Sequence, residues 1–160
     1  MIQYRVTKYD PQYRDASGAY QRDEWIMHSQ IGESFVDGVL TESRYLAAEN
    51  AYIHAAVSFL SETGVDSLAI ESLENARGYE CSALTIADGH ICSLLEIADI
   101  ARLVLRDHIW CKLAGNAAFI HFGWDYYMYI GVPVACPIAI NVATESGLFV
   151  ESFDSPHLGT

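Results

Sequence analysis

Between residues 109 and 130, three strand-length apolar runs follow one another with connections too short to cross a sheet. Runs 109–113, 118–122 and 126–130 are separated by Ala114-Gly115-Asn116 and by Gly123-Trp124-Asp125. Parallel neighbours need a crossover of a dozen or more residues, so these runs can pair only as an antiparallel meander. Such a sheet needs cover on its apolar face, and two amphipathic helices earlier in the chain are the candidates.

The clearer helix is predicted over 42–63. Leu40 and Tyr45 fit a hydrophobic staple around Thr41 as N-cap, and Gly64 stands where a left-handed C-terminal glycine belongs. Tyr45, Leu46, Tyr52, Ile53, Ala56, Val57, Phe59 and Leu60 share one wide arc, with Asn50, His54, Ser58 and Ser61 opposite. The second helix is predicted over 93–107. Ser93-Leu94-Leu95-Glu96 reads as a capping box, with Cys92 and Ile97 in the staple positions. Its polar face carries Glu96, Asp99, Arg102 and Arg106.

Alternation gives a first strand over 2–9, ended by Asp10-Pro11, and 66–72 and 148–153 read as further strands. Residues 22–30 read as a strand in preference to a short helix, Asp37-Gly38 as a turn, and 74–80 as a polar connection. Pro133 and Pro137 mark a loop or sheet edge. There is no linker, repeat or low-complexity segment. The expectation is a single α+β domain over 1–160, an antiparallel sheet with a C-terminal meander packed with two main helices.

Apolar residues make up 51% of the chain, yet it carries a formal charge of -12. Residues 1–44 hold seven acids and five bases, residues 45–112 ten and four, and residues 113–160 four acids and no Lys or Arg. A surface of this sign repels nucleic acid and anionic membrane and attracts basic partners. No apolar run approaches the ~20 residues of a membrane span, and the opening residues lack a secretory apolar stretch, so a cytoplasmic location is expected. Cys81, Cys92, Cys111 and Cys136 show no CxxC spacing and read as buried thiols in a reducing compartment.

Few residues offer chemistry. Glu49 sits at the centre of the apolar arc of the first helix, among Tyr45, Tyr52, Ile53 and Ala56. A buried carboxylate must be paired, hydrogen-bonded or protonated. It is a structural network member, a functional carboxylate facing a cleft, or a solvated residue on a helix of shifted phase. The segment from His121 to Tyr129 is the densest aromatic cluster. On a strand, Tyr127 and Tyr129 share one face, beside Trp124 and Asp125, which suits a recognition surface or cross-strand stabilisation of the sheet. Glu71 and Glu74 lie in an acidic stretch, 62–80, that is a docking patch or a solvated surface. His108, Cys111 and His121 form no paired metal motif, nucleophile elbows and phosphate loops are absent, and no metal or cofactor is expected.

Several longer stretches carry a resemblance. Tyr4-Arg5-Val6-Thr7-Lys8-Tyr9-Asp10-Pro11, Arg22-Asp23-Glu24-Trp25, Ser29-Gln30-Ile31-Gly32, Ile109-Trp110-Cys111-Lys112-Leu113 and the run from His121 to Gly131 are its carriers. Together the chain resembles small bacterial cytosolic immunity proteins of toxin–immunity loci, including contact-dependent growth inhibition. The resemblance implies a protein that binds and neutralises a cognate toxin, a nuclease or another intracellular poison, and it carries no catalytic residues across. The charge fits: nuclease toxins are basic because they hold phosphate, and an acidic binder speeds encounter.

The expected contacts are Asp125, Tyr127, Tyr129 and Trp124, with Glu71 and Glu74 as a second patch. Two alternatives stand beside this: a small enzyme using Glu49 with a nearby His (His121 among them) or Tyr as acid/base pair, and a self-associating structural domain. A substrate-sized cavity with converging titratable groups would favour the enzyme.

Overall fold

The computed structural model describes residues 1–74, 79–80 and 83–159. Seven strands form one antiparallel sheet: β1 (Ile2–Thr7), β4 (Ser67–Glu74), β5 (Ile91–Ser93), β6 (Trp110–Ala114), β7 (Phe119–Phe122), β8 (Tyr127–Val132) and β9 (Phe149–Ser152). Their order is β5-β4-β6-β7-β8-β1-β9, with the expected meander β6-β7-β8 at its centre. Two short strands, β2 (Ser34–Phe35) and β3 (Gly38–Val39), make a separate hairpin around Val36-Asp37. Three helices complete the fold: α1 (Glu42–Glu62), α2 (Leu94–Leu105) and α3 (Pro137–Glu145).

The register sorts the sheet into two chemistries. Ile70, Leu113, Ile120, Ile130 and Tyr4 stand opposite one another across five strands, face the helices and join their apolar side chains in one core. A shift of one residue moves to the other face. There Glu71, Lys112, His121, Tyr129, Arg5 and Glu151 form a polar row across six strands. Segment 153–159 covers part of this row. Ser155 Oγ lies 2.8 Å from His121 Nδ1, Lys112 Nζ donates to the His157 carbonyl at 3.0 Å, and Phe153 stacks on the Arg5 guanidinium.

Local chemistry accounts for the helix ends. Thr41 accepts the Arg44 amide at 3.2 Å. Gly64, at φ +70°, lets its own amide reach the Ser61 carbonyl and that of Val65 reach Leu60, which closes α1 in a Schellman motif. Ser93 and Glu96 form the expected capping box of α2.

Two expectations are corrected. Residues 22–30 are not a strand. The Gln30 side chain accepts the Ile26 and Met27 amides, the donors a ladder would use, while Trp25 turns into the core. The stretch after Pro133 is not only a loop, because Pro137 opens a third helix. Its first amides, Ile138 and Ala139, donate to the Glu62 carboxylate at the end of α1. The structure also adds β5, which pairs Ser93, Cys92 and Ile91 with Ser67, Leu68 and Ala69. Cys92, Cys111 and Cys136 are free and buried, whereas Cys81 lies outside the described residues.

Candidate functional site

The turn between β7 and β8 holds two consecutive non-glycine residues at positive φ. Asp125 and Tyr126 both adopt left-handed φ, +60° and +64°, while the Tyr127 amide donates to the Trp124 carbonyl at 3.3 Å. Two left-handed central residues match the twist of a hairpin, but Asn-Gly is the pair that adopts them without strain. For a tyrosine the left-handed state costs about 1–2 kcal/mol.

The side chain of Tyr126 explains why the conformation persists. Its hydroxyl donates to the Leu105 carbonyl at 2.6 Å, at the end of α2, and lies 3.0 Å from the Tyr45 hydroxyl. Its carbonyl accepts the Tyr52 hydroxyl at 2.6 Å, and that same Tyr52 oxygen accepts the Lys8 amide at 2.7 Å. Burial pushes both phenols, Tyr52 and Tyr126, well above the ordinary range, and both hydroxyls are committed to backbone carbonyls as struts.

Held this way, the turn walls a recess of about 310 Å³ where β4 and β7 end and β6 and β8 begin. Trp110, Phe122, Trp124, Tyr126 and Tyr127 supply aromatic surface, and Met27, Val104 and Met128 aliphatic surface. The Trp110 indole is fixed by donating to the Phe122 carbonyl at 2.9 Å. Glu74, Asp107 and Asp125, all exposed, contribute carboxylates, and no Lys, Arg or His lines the recess among the described residues. Trp124 is 82% exposed.

The structure therefore brings Trp124, Asp125, Tyr127 and Glu74 to one place. It does not bring Glu71 or Tyr129 there. Glu71 is exposed at the far side of the polar row, and Tyr129 is 8% exposed beneath Phe153 and His157. The alternation placed Tyr129 on the correct face of the sheet, but segment 153–159 covers that face. Sequence reasoning missed Trp110, Asp107 and Met27. Asp107 ends α2 with φ +59°, a position that no local signal links to the turn 20 residues on.

Glu49 is buried at 1% exposure and spends both oxygens on one arginine: Arg106 donates Nε–H at 2.6 Å and Nη2–H at 2.7 Å. It does not line the recess. His121 is also buried, and desolvation first, then Lys112 and His157, pulls its imidazole down to about 4. Neither carboxylate nor imidazole is available to a substrate. Among the described residues there is no group of three or more His, Cys, Asp or Glu that could hold a metal ion, and no helix is long and apolar enough to cross a membrane. Comparison of the chain with protein-family models, curated proteins and solved structures finds no match.

Proposed function

We propose that this protein is a cytoplasmic immunity protein that binds and neutralises a basic protein toxin through the rim of the recess. One observation carries the reading: a tryptophan left 82% exposed on a strained turn, beside an aromatic recess with carboxylates on its rim. Exposed Trp and Tyr flanking a concavity are the anatomy of an interface hot spot. Backbone strain held by buried hydroxyls is found where a surface is kept in one shape for recognition. The carboxylates and the net charge of -12 supply electrostatic steering toward a cationic partner. The enzymatic alternative built on Glu49 loses that residue, because Arg106 takes both its oxygens and it does not line the recess.

Growth protection tests the proposal. Co-expression with the toxin of the same locus should restore growth for the wild-type chain, and Trp124→Ala with Asp125→Lys should abolish protection while the chain stays folded. Full protection by that double variant would remove the turn from the interface.

A further inference from the structure

The recess has a composition more specific than a generic apolar contact. Six aromatic side chains line it (Tyr52, Trp110, Phe122, Trp124, Tyr126 and Tyr127), and its charged lining, among the described residues, is wholly acidic. Leu105 and Asp107 bring the C-terminal end of α2 to it, and that end of a helix carries partial negative charge. Aromatic faces attract cations through their quadrupoles, and carboxylates at the mouth add a direct partner. The same chemistry is already satisfied once inside the protein. Lys8 Nζ lies 4.1 Å from the Tyr9 ring centroid and 4.2 Å from that of Trp25, with a Glu24 oxygen at 3.4 Å. At about 310 Å³ the recess is at the small end of ligand sites, the scale of one side chain or a small molecule and not of a polymer segment.

We propose that the recess is a socket for one arginine or lysine side chain of the partner protein. Its apolar stem packs on the aromatic and aliphatic lining, and its cationic head has the aromatic faces of the recess and the exposed carboxylates Asp125 and Glu74 as partners. The identity of the occupant rests on the protein-binding reading; the cation selectivity does not.

The test uses the free protein and the indole N–H signals of its three tryptophans in NMR. Trp110 and Trp124 line the recess, whereas Trp25 is buried behind its wall, against the Tyr126 ring. N-acetyl-arginine methylamide should shift Trp110 and Trp124 saturably, and Trp25 less than either. N-acetyl-norleucine methylamide should bind about tenfold more weakly. The Glu74→Gln/Asp125→Asn variant should lose about tenfold for the arginine probe and nothing for norleucine. Equal binding of the two probes, or no saturable shift by either up to its solubility limit, overturns the proposal. Tighter binding of choline than of the arginine probe would overturn the side-chain assignment in favour of a small ammonium ligand. No partner is present in this experiment. Its failure therefore leaves the toxin-binding reading standing, whereas lost toxin binding with intact probe binding would remove that reading and keep the socket.

Discussion

Removing Arg106 should damage this protein more than removing the carboxylate it holds. Glu49 is 1% exposed, while the Arg106 side chain is 31% exposed. Arg106→Met strands a buried carboxylate, which costs about 3–5 kcal/mol. Glu49→Leu leaves a guanidinium that can turn to water, so its cost is about 1–3 kcal/mol. At this length each kcal/mol moves Tm by roughly 2–4 °C, so Arg106→Met should melt about 6–20 °C below wild type. The double variant replaces a buried ion pair by apolar groups, an exchange that is near neutral to within ~1 kcal/mol or stabilising. Urea unfolding of all four proteins, followed by far-ultraviolet circular dichroism and tryptophan fluorescence, closes the cycle. A loss below ~1 kcal/mol for Arg106→Met, or a double variant as unstable as the sum of the singles, would refute the claim that α1 and α2 are locked by a desolvated pair.

Tyr52→Phe removes the partner of the Lys8 amide and of the Tyr126 carbonyl, and should cost about 1–3 kcal/mol in urea unfolding while weakening toxin binding; a stable variant with full affinity would show that the turn holds itself. A Cβ at Gly131 would overlap the Phe119 ring, so Gly131→Ala should lower stability by about 1–3 kcal/mol, and an unchanged urea midpoint would contradict that packing. His121 has its pKa lowered from 6.5 to about 4, so the unfolded chain takes up the proton first. Stability from this group is complete above pH 6.5 and falls as pH drops toward about 4, and His121→Gln should flatten the pH-stability curve between those values, with a residual slope from His157, whose pKa is also lowered.

The elements legible in the sequence are those whose ends are closed by their own neighbours. Thr41 and Gly64 bracket α1, and Ser93 with Glu96 opens α2, all within a turn of the helix they serve. What escaped is closed from a distance. The first amides of α3 are satisfied by Glu62, 76 positions before Ile138, and Cys136 in front of it offers no cap. Residues 22–30 have the length of a strand but no alternation, and the Gln30 side chain takes the Ile26 and Met27 amides. The site divides the same way. Trp124 and Asp125 stand out as aromatic and acidic residues in a tight turn, whereas Trp110, Met27 and Asp107 reach the recess only through tertiary packing. Tyr129 was placed on a face whose cover, Phe153 and His157, has no periodic signature.

In the proposed function, the carboxylate-rimmed turn meets a cationic protein. Surface plasmon resonance can follow association of the purified protein with the proposed basic toxin of its locus, at two ionic strengths, for wild type and Asp125→Lys. A rim charge acts through long-range attraction, so the substitution should slow association by roughly tenfold at low salt, and the deficit should shrink as salt rises. No complex, or rates that are equal at both ionic strengths, would contradict the account.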